Sequence, residues 1–427
     1  MKNSNINHDV IHGLGSNVKM KDSGIEWIGK VPEHWKACRF KDFIKLCTDT
    51  SNSINKIGLE NIESGTGRFI ETSTKFEGNG VEFKKDSIVY GKLRPYLQKV
   101  WMAEFSGNAV GDFFVFNARK NAMPAYIKYV MLSDGFTKVA DRSTAGAKMP
   151  RVSSDFILSL NYCIPSLVDQ QRMVTYLDTN LSEIDHQVSL LTSKRDAYLR
   201  LKKSIINHAV TRGLNPNVKM KDSGIEWIGE VPEHWEVKRL KNVVECNAKS
   251  LGENTPKDSI IKYVEISDVD HVHGINNIQS LMFGEAPSRA RRITQKGDII
   301  ISTVRTYLKA IAKIEDDDII VSTGFAVLHP TKCNGEYLAY YILSESFINR
   351  VEMLSKGTSY PAINASDLVS INVLIPPLPE QHDIATYLGD KCAKIDTIVS
   401  NLDKQISRYA DLKRSLIDEV ITGKRAV

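Results

Sequence analysis

The chain has 427 residues, of which 42% are hydrophobic and 25% charged, a globular composition with enough length for two or three domains. Lysine and arginine number 56 against 51 aspartates and glutamates, and this net charge of +5 only weakly indicates an anionic partner. No apolar run reaches the roughly 18 residues of a membrane helix, and no apolar segment marks a secretory signal. The six cysteines form no CxxC pair. This spacing argues against disulfide and zinc frameworks and predicts a cytoplasmic location.

A repeat divides the chain into two similar halves. Three short elements occur twice: NVKMKDSGIEWIG at 17–29 and 217–229, VPEHW at 31–35 and 231–235, and IPxLxxQ at 164–170 and 375–381. The blocks between them, 36–163 and 236–374, differ strongly in sequence but have similar lengths. The period is far longer than that of a solenoid, so it indicates a duplicated half-protein related by a pseudo-twofold.

The end of the chain matches its middle. LKKSII at 201–206 runs on into the second NVKMKDSG element, and the similar LKRSLI at 412–417 stands shortly before the last residue. We therefore expect a cyclic arrangement cut once, with the two termini near one another.

Long helices are predicted after each IPxLxxQ element. Asp169 and Glu380 lie just after the proline, where a carboxylate favours a helix N-terminus. Apolar residues then recur at intervals of four and three, as in a coiled-coil seam. The seam residues are Leu177, Leu181, Ile184, Val188 and Leu191 in the first copy, and Leu388, Ile395, Val399 and Leu402 in the second. Each helix of about 40 residues would be about 60 Å long, and the pseudo-twofold predicts an antiparallel pair. Two helices packed on separate cores are the alternative.

The variable blocks are predicted to be mixed α/β. Turn-then-strand patterns occur at 85–90 and 297–301, and helices are predicted near 124–133 and 336–348. The fold class is therefore α+β, with two mixed α/β globular domains separated by two long antiparallel coiled-coil helices. The expected segments are a repeat element (1–35), a first variable domain (36–163), a central helical spacer with the second repeat element (164–235), a second variable domain (236–374) and a C-terminal helical spacer (375–427).

A search for catalytic motifs finds none. The sequence has no GxxxxGK[ST] loop, no HExxH and no GxSxG elbow, and the tetrad at 93–96 only superficially resembles the NPPY motif of methyltransferases. His271 and His273 could ligate a metal from a strand, but no third ligand is nearby. The acidic run at 315–318 is interpreted as a solvated hairpin tip. We therefore expect no catalytic residue and no metal site in this chain.

Charge is distributed unevenly between the blocks. Lysines and arginines outnumber aspartates and glutamates by 19 to 13 in the first block, whereas the second has 16 against 17. The second block concentrates cations at Arg289, Arg291, Arg292 and Lys296, beside an apolar strand. Such arginines suit contacts to phosphates and base edges, and a solvated loop is the alternative.

One arginine and one tyrosine recur in both blocks. Arg94 and Tyr96 match Arg305 and Tyr307 at an offset of 211 residues. The pattern indicates either a DNA-backbone contact made by both blocks or a structural ion pair.

The whole arrangement resembles the specificity subunit of type I restriction-modification systems. The resemblance is carried by GIEWIGxVPEHW before each block and IPxLxxQ at the start of each helix, and it covers essentially the whole chain. It implies that each block is a target recognition domain that reads one half of a bipartite sequence in double-stranded DNA. It also implies that the helices set the spacing and dock two modification subunits, which restriction (motor-nuclease) subunits join.

The resemblance implies a non-catalytic chain without a cofactor, whose partners use S-adenosylmethionine, ATP and Mg²⁺. The candidate DNA-binding residues are Lys92, Arg94, Tyr96, Lys99, Arg142, Lys148 and Arg151 in the first block, and Arg289, Arg291, Arg292, Lys296, Arg305, Tyr307, Lys309, Lys356 and Tyr360 in the second. The competing hypothesis is a coiled-coil scaffold with two protein-binding heads and no DNA contact. A self-contained nuclease or methyltransferase is disfavoured because the motifs are absent.

Overall fold

The computed structural model describes residues 19–51, 53–144, 148–270 and 274–427. The chain forms two compact units, Met1–Thr192 with Lys404–Val427, and Ser193–Asp403. Each unit holds one variable block and half of each long helix, so the division falls within the helices and not at their ends.

The first unit contains twelve short strands among its described residues, and three short helices. Its strands are β1 (Met20–Asp22), β2 (Lys30–Pro32), β3 (Lys36–Arg39), β4 (Ile44–Cys47), β5 (Thr50–Ser51), β6 (Lys56–Ile57), β7 (Gly80–Phe83), β8 (Ile88–Gly91), β9 (Val100–Met102), β10 (Gly107–Ala109), β11 (Phe113–Ala118) and β12 (Asn161–Ile164). Its helices are α1 (Pro124–Leu132), α2 (Asp134–Arg142), α3 (Ser154–Ser159) and the beginning of α4 (Leu167–Arg212).

The second unit repeats this order. Its strands are β13 (Met220–Asp222), β14 (Glu230–Pro232), β15 (Glu236–Arg239), β16 (Val244–Cys246), β17 (Ile260–Val264), β18 (Val269–Asp270), β19 (Gly274–Ile275), β20 (Gln279–Met282), β21 (Ala290–Ile293), β22 (Ile299–Ser302), β23 (Ile311–Lys313), β24 (Ile319–Ser322), β25 (Phe325–Pro330) and β26 (Asn372–Ile375). Its helices are α5 (Gly335–Ile342), α6 (Glu345–Leu354), α7 (Ala365–Val369) and α8 (Leu378–Ile421), which ends in the first unit.

One predicted helix is wrong in detail. The segment 336–348 was expected to be a single helix, but it belongs to α5 and α6, which are separated at Leu343 and Ser344. The Ser344 hydroxyl accepts a hydrogen bond from the Phe347 backbone N–H at 3.4 Å, so it caps a new helix. The helix predicted at 124–133 matches α1, and the strands predicted at 85–90 and 297–301 match β8 and β22.

The same antiparallel sheet lies at the centre of each unit. The strand order is β4-β11-β8-β9 in the first unit and β16-β25-β22-β23 in the second. Every residue of β8 and of β22 is buried, which explains why both strands are continuous apolar runs without alternation. One face of each central sheet packs on two short helices and on the long helices.

A second sheet differs more between the units. Its order is β5-β7-β10-β6 in the first unit and β20-β17-β24-β21 in the second. Both contain one parallel pair, β10 with β6 and β24 with β17, beside an antiparallel partner, β7 or β21. The second unit adds the edge strand β20 and the hairpin β18–β19.

The long helices run antiparallel, as predicted. In the first unit the Lys413 ammonium lies 2.5 Å from the Asp185 carboxylate, and in the second the Lys202 ammonium lies 2.6 Å from Asp396. Asp185 and Asp396 are equivalent in the repeat, as are the two lysines, so the same pair forms once in each unit. Partnered polar residues of this kind fix the register of a helix pair.

The seam residues are buried to different degrees. Leu177, Leu181 and Ile184 are buried in the first unit, and Leu388, Ile395 and Leu402 in the second. Val188, Leu191 and Val399 are half-buried. In the first unit the buried seam residues belong to the same core as the central sheet, because each helix half packs on its block as well as on the other helix.

The last turn of each long helix completes one unit. The Tyr162 hydroxyl donates to the Ile421 carbonyl at 3.0 Å in the first unit, and the Tyr337 hydroxyl donates to the Val210 carbonyl at 3.4 Å in the second. Gly423 follows with a φ of +70°, and a side chain there would clash with Pro32, 2.4 Å from the position of its Cβ. The expected closeness of the two termini involves residues 1–18, which lie outside the described residues. No helix in the described ranges is long and apolar enough to cross a membrane.

The IPxLxxQ glutamine has a structural role in both units. Gln170 accepts a hydrogen bond from the Met123 backbone N–H at 2.8 Å and donates to the Asn121 and Pro165 carbonyls at 3.0 and 3.1 Å. Gln381 does the same with Asn334 and Pro376, at 2.7 Å each. Both glutamines are buried, so each one ties the start of a long helix to the start of α1 or α5.

Candidate nucleic-acid interface

The recurring arginine and tyrosine lie in a loop of the same shape in each unit. These two loops, 94–98 and 305–309, are called the RxYL loops here, and they follow β8 and β22. Each is a single 3-10 turn between two left-handed residues. The φ angles are 51° at Arg94 and 48° at Gln98, and 51° at Arg305 and 52° at Lys309. A non-glycine residue in this region costs about 1–3 kcal/mol, so the surrounding structure must hold the loops in place.

A second segment of each block holds the RxYL loop. The Arg94 backbone N–H donates to the Pro150 carbonyl at 2.8 Å, and the Thr306 N–H donates to the Pro361 carbonyl at 3.4 Å. A β-bridge joins Leu93 to Arg151 in the first unit, and Val304 to Ala362 in the second. The prolines and the bridges are at equivalent positions, whereas the N–H donor moves from Arg94 to Thr306, one position beyond the equivalent Arg305. Both loops are therefore held by the same segment of the block.

The side chains at the tips of the loops face solvent. Tyr96 and Tyr307 are each 52% exposed, and Arg94 and Arg305 are exposed as well. Within the described residues neither arginine forms an ion pair, so the structural ion pair considered from the sequence is not found there. The Arg305 guanidinium lies 4.8 Å from the centre of the Tyr360 ring, which is 65% exposed. Two unpaired cations on strained, firmly held loops suit an anionic ligand.

The other candidates of the first unit are in different environments. Arg151 makes two hydrogen bonds to the Asp112 carboxylate, at 3.0 and 2.9 Å, and the Lys92 ammonium is 3.8 Å from the same carboxylate. These contacts, the Arg151 hydrogen bonds first, lower the pKa of Asp112. Lys99 donates to the Ile62 carbonyl at 2.6 Å and is half-buried, which turns its ammonium inward. Exposed cations remain at Arg142 and Lys148.

The arginines of the second unit lie on or next to β21. Arg289 pairs with Glu265 at 2.8 Å, and Arg291 stacks over the Phe283 ring with 4.6 Å to its centre. Arg292 is half-buried, and its Nε has no hydrogen-bond partner among the described residues. A β-bulge between Ala290 and Arg292 inserts Arg291. Bulges re-aim side chains and are frequent beside functional sites.

Three further candidates of the second unit lie on its surface. Lys296 and Lys356 are exposed, and the Lys309 ammonium lies 3.6 Å from Glu352. The Lys356 backbone pairs with Ala362, so this lysine stands on the segment that holds the second RxYL loop.

Sequence reasoning missed Lys249, an exposed cation beside the arginine strand. The backbones of Ser250 and Arg292 form an antiparallel β-bridge. The Lys249 carbonyl accepts a hydrogen bond from the Ile293 N–H at 3.2 Å. The two segments are more than 40 residues apart, so only strand pairing brings these cations together. The duplication itself held a signal, because Ser250 corresponds to Thr50 of β5, which pairs with β7.

The two motifs considered for metal binding give different outcomes. His271 and His273 lie outside the described residues. The acidic run 315–318 is exposed, and the Asp318 φ of 62° lies in a turn, as expected for a solvated hairpin tip. The described parts of the chain hold no group of three or more histidine, cysteine, aspartate or glutamate residues that could bind a metal ion.

Comparison with known proteins shows similarity to one family. Residues 232–408 match the family described as the type I restriction modification DNA specificity domain. The type I restriction enzyme MjaVIII specificity subunit of Methanocaldococcus jannaschii is 23% identical over 418 residues, which cover 92% of this chain and 94% of that protein. The EcoDI specificity subunit of Escherichia coli is 21% identical over 418 residues, which cover 93% of this chain and 90% of that protein. Residues 232–408 thus resemble a DNA specificity domain, and the chain is similar over most of its length to type I restriction enzyme specificity subunits.

A solved structure shows the same fold. A chain from a structure described as the structural basis of complex assembly and conformational transition of the type I R-M system superposes with a TM-score of 0.69 at 18% identity. The superposition covers 92% of this chain and 98% of the other. This likeness shows a shared fold, and the match of residues 232–408 to a DNA specificity domain supports DNA recognition.

Proposed function

We propose that each unit reads one half of a bipartite sequence in double-stranded DNA, and that α4 and α8 set the gap between the halves. The observation that carries the proposal is that both units present the same exposed RxYL loop on one shared fold, while their other surface side chains differ. Two units that share a fold but differ in their surface side chains would bind two different short DNA sequences in the same orientation.

The long helices supply the surfaces for partner proteins. They carry exposed apolar side chains, and two of these positions recur at an offset of 211 residues: Leu167 with Leu378, and Leu201 with Leu412. Apolar side chains left in solvent at equivalent places favour binding of two copies of one partner. We assign these surfaces to two modification subunits, with restriction (motor-nuclease) subunits joining the complex.

Catalysis belongs to these partners in the proposal. Methylation of an adenine requires a pocket that takes the base out of the stack, and this chain needs only to place that pocket on the DNA. S-adenosylmethionine, ATP and Mg²⁺ are then bound by the partner subunits in the cytoplasm, and the specificity subunit carries no cofactor.

The experiment is an exchange of residues 36–163 for the corresponding block of another specificity subunit. β3 (Lys36–Arg39) and β12 (Asn161–Ile164) pair with each other at the two ends of the block. The exchanged segment therefore carries nearly all of the strand pairing that closes it. Methylated adenines are then mapped in cells that hold the complete system. We expect one half-site to change, while the other half-site and the gap stay the same because the helices are untouched.

The reciprocal exchange of 236–374 is the matched control, and it should change only the other half-site. If one exchange altered both half-sites or the gap, the units would not read independently. If the assembled wild-type protein showed no salt-dependent binding to duplex DNA, the chain would be a protein-binding scaffold.

A further inference from the structure

Two surfaces of each unit differ in how well their residues match between the two copies of the repeat. The RxYL loop keeps its arginine, its tyrosine, its two left-handed residues and its supporting proline in both units. The strand β7 of the second sheet and its counterpart β21 do not keep the same side chains. Thr50 pairs with Val81 in the first unit and Ser250 with Arg292 in the second, so Val81 stands where Arg292 does. Gly80 likewise takes the place of Arg291.

A contact made identically by both units cannot distinguish two different half-sites. It must bind what every half-site has in common, and in duplex DNA that is the sugar-phosphate backbone. The loops offer what a phosphate needs, namely an arginine with no ion-pair partner among the described residues and an exposed tyrosine hydroxyl. Their rigid backbone holds both groups ready, so little order is lost on binding.

We infer that the RxYL loops are a pair of phosphate clamps that hold the DNA backbone in the same way at each half-site, and that bases are read by side chains that differ between the units. This inference rests on the proposed bipartite reading. In the second unit the base-reading surface includes Arg291 and Arg292. In the first unit the equivalent strand has no cation at these two positions, so its base contacts are of another kind.

The test measures affinity and specificity separately. The full chain, assembled with the modification subunits encoded with it, is titrated with two duplexes of equal length at several KCl concentrations. One duplex contains the sequence found by methylation mapping, and the other has the same base composition in scrambled order. The variants are Arg94→Ala, Arg305→Ala and the double substitution.

We expect each substitution to weaken binding to both duplexes by the same factor, about 3- to 10-fold. The ratio of the two affinities stays unchanged, and the slope of log affinity against log salt falls by about one per arginine. Arg94→Lys and Arg305→Lys should recover much of the loss, because a phosphate accepts a point charge, whereas a bidentate base contact needs the guanidinium fork. The controls Arg172→Ala and Arg239→Ala remove exposed arginines of α4 and β15 and should leave both affinities unchanged.

Three results would overturn the inference. The first is a loss confined to the specific duplex, which would make the loops readers of a base common to both half-sites. The second is unchanged affinity and an unchanged salt slope in the double variant. The third is a wild-type complex that binds neither duplex, because a phosphate clamp holds any DNA. A wild-type complex that binds both duplexes equally, with a salt slope that depends on the loops, would instead refute the bipartite reading and keep the clamps.

Discussion

On β21 the second unit presents two arginines, whereas the equivalent part of β7 in the first unit presents a glycine and a valine. On the RxYL loops, by contrast, even the left-handed φ angles agree within a few degrees. The loop follows the buried central sheet, where any change disturbs packed side chains, and the strand lies in the second sheet, whose surroundings already differ between the units. In the proposed function, one fold changes what it reads without changing how it holds DNA.

The largest expected effect tests whether the two units are separate folding units. Ile421 and Val210 occupy equivalent, fully buried positions at the ends of α8 and α4. Ile421→Asp should destabilise the first unit by about 3–5 kcal/mol because it buries an unpaired carboxylate, and Val210→Asp should do the same to the second. Hydrogen exchange of each unit is the measurement. Leu412→Asp, at an exposed position, is the control and should change little. Loss of protection in both units from one substitution would contradict their independence.

The next effect concerns the glutamine that both units share. Gln170→Ala leaves one buried N–H and two carbonyls without their partner, and Gln381→Ala leaves one of each. We expect losses of about 2–3 kcal/mol, larger for Gln170, measured as the free energy of unfolding in urea. Gln171→Ala is the control, because the hydrogen bond that its side chain makes among the described residues, to Thr175, is exposed. Equal stability of Gln170→Ala and Gln171→Ala would show that these bonds do not hold the helix start.

A smaller effect tests the difference between β21, which carries two arginines, and the equivalent strand β7, which carries none at those positions. Replacing Arg291 and Arg292 with alanine should weaken binding to the mapped DNA sequence by about 1–3 kcal/mol for each lost base contact, without dissolving the assembly. Sequence preference should relax in one half-site only, since the equivalent strand of the other unit has no arginine. DNA-binding titration with single base changes in each half-site measures this. Unchanged affinity and salt slope would show that neither arginine contacts DNA.

The smallest effect concerns the stability contributed by the Asp418 carboxyl of the first unit, compared with the amide of its equivalent, Asn207, in the second. Asp418 accepts from the Asp134 backbone N–H at 2.9 Å, and burial, together with the nearby Asp134 charge, raises the pKa of Asp418. Its equivalent in the second unit is Asn207, which accepts from the Ser346 hydroxyl at 2.7 Å. Because the folded pKa is raised, the ionised carboxyl disfavours folding at neutral pH, and protonation relieves this as pH falls through the folded pKa.

Asp418→Asn should therefore stabilise the first unit at pH 7 by roughly a few tenths of a kcal/mol, because the site is partly exposed and the charge is screened. The gain should vanish in acid, below the pKa of an unfolded aspartate. Hydrogen exchange of the first unit at pH 7 and in acid measures it, and Asn207→Asp should destabilise the second unit at pH 7. A stabilisation that is the same at both pH values would show that charge is not the cause.

The sequence predicts local and repeated features of this chain better than contacts between residues that are far apart in the sequence. Heptad spacing and short apolar runs are local, so the long helices, their antiparallel pairing and strands such as β8 could be predicted. The RxYL loops were found because the same arginine and tyrosine occur twice. The crossed pairs of Asp185 with Lys413 and Lys202 with Asp396 join residues about 200 positions apart. Nothing local reveals such pairs, nor the inward turn of Lys99 or the place of Lys249.

Each long helix contributes residues to both units. During synthesis the second unit can therefore be completed before the first. The second unit is one continuous stretch, Ser193–Asp403, and all of it is translated before residues 404–427 of the first unit. The first unit is begun first, but its core includes four residues from the last turns of α8: Leu416, Ile417, Val420 and Ile421. A nascent chain therefore carries an open first core until Ile421 has been synthesised, although domains usually fold in the order of their synthesis.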